Sequence, residues 1–195
     1  MQIEYEATFA DVDKNEVRER LEKSGAILKR PEFLQKRITF NLPKGHEIEG
    51  GWLRVRDEGD KITMTLKVVD GNKIHNQKET ILVVDSFDEA VNFLEGIGCK
   101  KKSYQETKRE LWLLDDVEIT IDEWPFLEPC VEVEGKSEKA VKNVSEKIGF
   151  DYGQALFCCV TTLYNMKYGT PEEVINNQIA EITFEGDNPF EKLKI

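Results

Sequence analysis

The feature that most constrains this chain is a two-residue alternation that puts charged side chains on one face of nearly every candidate strand. Residues i and i+2 of a strand share a face, about 7 Å apart. In the strand over residues 3–9, Glu4 and Glu6 lie opposite Ile3 and Tyr5. Arg54 and Arg56 oppose Leu53 and Val55, and Thr63, Thr65 and Lys67 oppose Ile62, Met64, Leu66 and Val68. Arg109 faces away from Glu110 and Trp112. Glu118, Thr120 and Asp122 oppose Val117, Ile119 and Ile121, and Glu132 and Glu134 oppose Val131 and Val133. One such strand is ordinary in an antiparallel sheet with a wet side. Here the acidic pairs and the basic pairs sit on separate strands. If helices cover the outside of a curved sheet, the charged faces lie inside, where charge is tolerated only when paired or met by a charged ligand. Separate acidic and basic walls suit a polyphosphate with a divalent cation: carboxylates hold Mg²⁺ or Mn²⁺, and guanidinium and ammonium groups hold phosphate oxygens.

Helix signals alternate with these strands. A helix is expected over residues 13–24, with Val17, Leu21 and Ile27 on its buried side and Gly25 as its stop. Ser86-Phe87-Asp88-Glu89 is a capping box that opens a helix with Ala90, Val91, Phe93, Leu94 and Ile97 inward. Ser137 opens another that Gly149 closes, and residues 152–166 read as mostly helical. Further strands are expected over residues 34–41, 77–84 and 108–114, with Gln35, Arg37 and Thr39 sharing a face in the first. A strand, a helix and a glycine follow both Glu4-Tyr5-Glu6 and Glu132-Val133-Glu134, which suggests two half-domains. The 195 residues suit one compact domain over residues 1–169 with a C-terminal extension over 170–195.

Composition excludes several classes. Lys and Arg number 27 against 38 Asp and Glu, so the net charge of -11 argues against nucleic acid and against anionic membrane surfaces as partners. No apolar run approaches the ~20 residues of a membrane span. The start, Met1-Gln2-Ile3-Glu4, lacks a basic segment followed by an apolar one, so a cytoplasmic location is expected. Cys99, Cys130, Cys158 and Cys159 form no C-x-x-C pair and read as reduced thiols. With only His46 and His75, a histidine-based triad or zinc site is not expected.

The order of these motifs resembles the CYTH superfamily, the triphosphate tunnel metalloenzymes, from about residue 2 to residue 168. The resemblance rests on Glu4-x-Glu6, Leu53-Arg54-Val55-Arg56, Thr65-Leu66-Lys67, Lys108-Arg109, Ile121-Asp122 and Val131-Glu132-Val133-Glu134. It implies an α+β fold, an eight-stranded antiparallel β-barrel or tunnel with helices packed outside. It implies Mg²⁺ or Mn²⁺ held by Glu4, Glu6, Glu132 and Glu134, with Asp122 either a further ligand or a balance for nearby cations. It implies triphosphate binding by Arg37, Arg54, Arg56, Lys67, Lys78 and Arg109, with Glu4, Glu6, Arg54 and Arg56 as the catalytic set. The implied substrate is ATP, thiamine triphosphate or tripolyphosphate, and the implied activity is a triphosphatase or a class IV-type adenylyl cyclase. A homodimer is compatible with it. One departure matters: the family's opening motif is Glu-x-Glu-x-Lys, and Thr8 stands at the lysine position. A neutral hydroxyl cannot supply that charge. The alternative is therefore a non-catalytic nucleotide- or polyphosphate-binding module, unless Arg37 restores the charge. Trp52, Trp112 and Trp124 read as packing residues.

Overall fold

The computed structural model describes residues 1–191. Its strands are β1 (Gln2–Ile3), β2 (Tyr5–Phe9), β3 (Ile27–Asn41), β4 (Gly51–Asp57), β5 (Ile62–Val69), β6 (Gln77–Val84), β7 (Lys100–Leu114), β8 (Val117–Glu123), β9 (Cys130–Gly135) and β10 (Glu181–Ile182). Its helices are α1 (Lys14–Lys23), α2 (Phe87–Gly96), α3 (Glu138–Lys147), α4 (Val160–Tyr168) and α5 (Glu172–Gln178). The sheet runs β1-β6-β5-β4-β3-β7-β8-β9-β2, with β10 parallel beside β7. β1 and β2 are consecutive in the chain, separated by Glu4 alone. β1 pairs with β6 and β2 pairs with β9, so one short stretch joins both edges and closes an antiparallel barrel. The expected architecture is present. The count differs from eight because the first strand is split at Glu4 and β10 is added outside.

Gln77 secures the split. Its carbonyl accepts the Glu4 N–H at 3.0 Å, and its side-chain amide donates to the Glu6 carbonyl at 2.9 Å. Both backbone groups at the break thus find partners in the interior.

The helices lie on the outer, apolar faces of the strands. Asp13 caps α1 by accepting from the N–H groups of Asn15 and Glu16, and Ser86 and Ser137 cap α2 and α3 in the same way. α1 and α3 bury Val17, Leu21, Val141 and Val144 against Ala7, Ile119, Val131 and Val133 of β2, β8 and β9. α2 buries Ala90, Val91 and Leu94 against Phe40 and Val55. α4, α5 and β10 gather Leu163, Tyr164, Ile175 and Ile182 around Phe190, which stacks on Tyr164 at 4.3 Å. Residues 172–190 therefore help to build a core of their own.

Several local expectations are corrected. Ile27 is 59% exposed because it opens β3 rather than finishing α1, and Phe93 and Ile97 face solvent on the far side of α2. β3 and β7 each run 15 residues, longer than their alternation indicates. The registers Leu28/Arg30 and Arg30/Phe33 shift around Pro31, which cannot donate to a ladder. Residues 152–166 are not one helix: Leu156 forms an isolated bridge with Thr8, and α4 starts only at Val160. The two Glu-x-Glu strands do not mark separate halves. They are neighbours, with Glu6 opposite Glu134 and Thr8 opposite Glu132.

Gln77→Ala should cost about 1–3 kcal/mol, because it strands a buried carbonyl at the closure. Val83→Ala, at a site 72% exposed, should stay within about 0.5 kcal/mol. Urea midpoints at an unchanged slope measure both.

Candidate functional site

The charged strand faces line one cavity of about 770 Å³ inside the barrel. Its walls include Glu4, Glu6, Arg37, Arg54, Arg56, Lys67, Arg109, Glu132 and Glu134, nine of the positions read from the sequence. The alternation explains this. Outward residues such as Ala7, Val55, Ile119 and Val133 are buried under helices, which turns their charged neighbours inward.

The acidic side gathers at the closure. Glu4, Glu79 and Glu134 each place a carboxylate oxygen within 4.8 Å of the others. Glu79 was missed by the sequence reading; its signal was the alternation of Gln77 and Glu79 along β6, which puts both on the cavity wall. Burial, with the nearby Glu4 charge, pushes the Glu134 carboxyl up to about 7. Burial and Glu4 also raise Glu79, and burial with Glu132 and Glu4 holds Glu6 well above the usual carboxylate range. The three converging carboxylates offer hard oxygen donors, and Glu79 and Glu134 have no ion pair among the described residues. That donor set fits Mg²⁺ or Mn²⁺.

The basic side lies across the cavity. Arg37 and Arg56 are register partners on β3 and β4, and Arg54 lies opposite Thr39. Arg54 is 8% exposed; burial and the neighbouring Arg56 lower it to about 10, so it stays cationic at neutral pH. Arg56 donates from Nε to Glu58 at 2.9 Å. The buried Glu58 was also missed, because it falls at the end of β4 where alternation stops. Arg37 is buried; its Nη2 donates to Gln35 at 2.9 Å and to Thr107 at 2.7 Å, and its guanidinium lies 4.4 Å from the Trp124 ring. Trp124 thus lines the cavity while Trp112 packs in the outer core.

Ion pairs mark the two borders between these walls. Lys67 meets Glu4 at 2.7 Å, and although burial disfavours its charge, Glu4 and Glu6 raise its pKa. Arg109 donates from Nε to Asp122 at 2.7 Å and from Nη2 to Glu132 at 2.5 Å. Burial opposes the Arg109 charge, yet Asp122 and Glu132 hold its pKa well above the ordinary value.

Two predicted positions stand apart. Lys78 points out of the barrel, where it pairs with Asp70 at 2.5 Å, because the period of two gives the inward positions to Gln77 and Glu79. Asp122 is fully buried and engaged by Arg109, away from the carboxylate cluster; it balances a cation. Thr8 is buried, and its N–H and C=O both bond to Leu156.

Three comparisons with known proteins agree with this architecture. A model of the CYTH domain matches residues 2–156. A candidate adenylate cyclase of Methanocaldococcus jannaschii, MJ0240, is 29% identical over 147 residues, covering 74% of this chain and 81% of that protein. The PH1012 protein of Pyrococcus horikoshii OT3 superposes with a TM-score of 0.66 at 19% identity, over 80% of this chain and 96% of its own. HpAC1 of Hippeastrum, an adenylyl cyclase candidate with a dominant triphosphatase activity, superposes at 0.56 with 14% identity, over 87% and 99%. At such identities these two structures bear on the fold alone.

The acidic cluster predicts an inverted pH response for the metal-free protein. Glu134 titrates at about 7 when folded and near its ordinary 4.5 when unfolded. Between those values the folded state holds a proton that the unfolded state has lost, so stability falls as pH rises through the window. In EDTA the melting temperature should fall from pH 5 to pH 7.5, and Glu134→Gln should flatten that slope.

Proposed function

The chain belongs to the CYTH domain family, and we propose that it is a metal-dependent enzyme acting on a triphosphate, as a phosphohydrolase or as an adenylyl cyclase. The observation that carries this reading is the enclosure in one cavity of three converging carboxylates and, facing them, Arg37, Arg54 and Arg56. A polyphosphate chain with its cation is the ligand class whose charges match both walls.

A divalent cation at Glu4, Glu79 and Glu134 would supply Lewis-acid polarisation of a phosphoryl oxygen and lower the pKa of bound water. The chain's own groups do the rest. Arg54 and Arg56 project from one strand face and can grip consecutive phosphates, fixing the register of the chain in the barrel. Lys67 and Arg109 are already oriented by Glu4 and by Asp122 with Glu132, so little reorganisation is needed as charge grows on the phosphoryl oxygens. The enclosing strands limit the access of bulk water, which strengthens each of these contacts. Hydrolysis and cyclisation differ in nucleophile: water at the terminal phosphorus, or the ribose 3′-hydroxyl at the α-phosphorus with pyrophosphate leaving.

A second reading is a nucleotide- or polyphosphate-binding module without turnover. Thr8 favours it, since this buried, neutral residue cannot supply the charge of the family's motif lysine.

ATP, thiamine triphosphate and tripolyphosphate, each with Mg²⁺ or Mn²⁺, should be assayed for released phosphate and cyclic AMP, with calorimetry alongside. Turnover of at least one supports the enzyme; metal-dependent binding without product over hours supports the module; no binding of any rejects both. The double change Glu79→Gln/Glu134→Gln should remove the metal dependence. Arg54→Gln/Arg56→Gln should weaken triphosphate binding at least about tenfold, since each charge-assisted hydrogen bond is worth about 1.5–3 kcal/mol.

A further inference from the structure

The barrel wall is open beside the second half of β6. β1 covers only the first part of that strand, with Ile3 opposite Lys78 and Gln2 opposite Glu79. Among the described residues, no strand lies on that side of residues 80–84. The uncovered stretch is apolar on both faces. Ile81 is 47%, Leu82 53% and Val83 72% exposed, and Thr80 before them is exposed too. Edge strands normally carry a charge, a proline or a bulge that keeps other strands away. Residues 80–84 hold no charge and no proline, and their register with β5 runs without a shift.

Backbone direction decides what this edge can accept. In an antiparallel sheet the N–H and C=O of one residue point to the same side, and successive residues alternate. The Gln77 carbonyl accepts the Glu4 N–H, so the odd-numbered residues of β6 turn their backbone groups toward the β1 side. Ile81 and Val83 therefore point theirs at the open edge. A copy of β6 related by a two-fold axis at Leu82 satisfies all of them. Ile81 of each copy meets Val83 of the other, and the two pairs exchange four backbone hydrogen bonds. Leu82 then faces Leu82 on the outer side, and Ile81 faces Val83 on the inner side. Charge agrees with a second copy as the occupant. Chains of net charge -11 repel one another except where the contact itself is neutral. Carried past the strand, the same axis brings the acidic first turn of α2, Asp88 and Glu89, toward Lys78 of the other copy on the outer face.

We propose that the chain forms a two-fold homodimer by antiparallel pairing of residues 80–84 of β6, centred on Leu82. This goes beyond the triphosphate reading and needs neither metal nor ligand. Ile81 lines the cavity, so the second copy's Val83 extends the cavity rim beside it. One strand pair and a helix start make a contact at the small end of protein interfaces, so the dimer is weak and depends on concentration. At the dilution of a urea titration the chain is monomeric, and Val83 behaves as an ordinary exposed side chain.

The test is sedimentation equilibrium of the full chain from micromolar to millimolar concentration, in EDTA and without ligand. A monomer–dimer equilibrium is expected. Leu82→Lys sets like charges opposite one another, and Ile81→Pro removes an outward N–H at an edge, where proline is tolerated. Each should weaken the dimer at least about tenfold while the circular dichroism of the monomer stays unchanged. A cysteine reads the axis itself. Two copies of residue 82 lie about 4.5 Å apart between Cα atoms, within disulfide reach, whereas two copies of residue 80 lie roughly 14 Å apart. Diamide should therefore trap Leu82→Cys as a dimer whose linked peptide maps to residue 82, and should not link Thr80→Cys at residue 80. A chain that is monomeric at every concentration would overturn the proposal, even if it binds an unrelated extended peptide at this edge. So would a dimer that neither substitution weakens, or a link at residue 80 as fast as that at residue 82. No triphosphate or metal enters these measurements, so their outcome is separate from that of the enzyme assays.

Discussion

The closure of the barrel at Glu4 is the constraint on which the rest of the site depends. A sheet becomes a barrel only when its two edge strands find a common partner. Here that partner is a single stretch of eight residues interrupted once, bonded to β6 before the break and to β9 after it. The residue at the break therefore stands between Glu79 of one edge and Glu134 of the other. The carboxylate cluster is thus the seam of the barrel. Its mutual repulsion must be offset by neighbours: Lys67 offsets part of it through Glu4, and Gln77 holds the backbone on both sides.

Charge separation around the seam follows from strand order. Most neighbours in the sheet are also consecutive in the chain, which sets the basic strands β3 and β4 side by side, while closure of the barrel pairs β2 with the distant β9 as the acidic wall. The walls meet at Lys67 with Glu4 and at Arg109 with Asp122 and Glu132, where buried charges are paired. Between these borders Arg56 is paired with Glu58, while Arg37, Arg54, Glu79 and Glu134 have no ion pair among the described residues. Such an interior stays open because collapsing it would bring like charges closer in a medium of low dielectric. The outer shell supplies the stability that this interior does not, through Leu21, Ile119, Val133 and Tyr164 packed beneath the helices.

Legibility followed physical range. The inward position of nine lining residues was readable because alternation is a local property and the apolar face announces which side the helices cover. The caps at Asp13, Ser86 and Ser137 and the Asp115-Asp116 turn were readable for the same reason, each being satisfied within a few residues. The length of β3 was obscured by Pro31, and the first half of β7 by the run Lys100-Lys101-Lys102, where alternation is lost. Lys78 shows the limit of a resemblance taken without alternation: the neighbouring Glu79 holds the inward position and joins the cluster.

By itself the sequence determined the period of each strand and the sign of the charge on its polar face; the closed antiparallel barrel was what the resemblance to the CYTH superfamily implied. The period and the charge of each face follow from the geometry of one strand and need no knowledge of pairing. Only the tertiary structure decided which charges face one another. The meeting of Glu4, Glu79 and Glu134, the engagement of Asp122 by Arg109, and the gathering of Trp124, Leu163, Tyr164 and Ile175 in one core cluster all depend on contacts between residues far apart in the chain. Each is set by register and closure, since shifting one strand by a single residue would exchange its inner and outer faces.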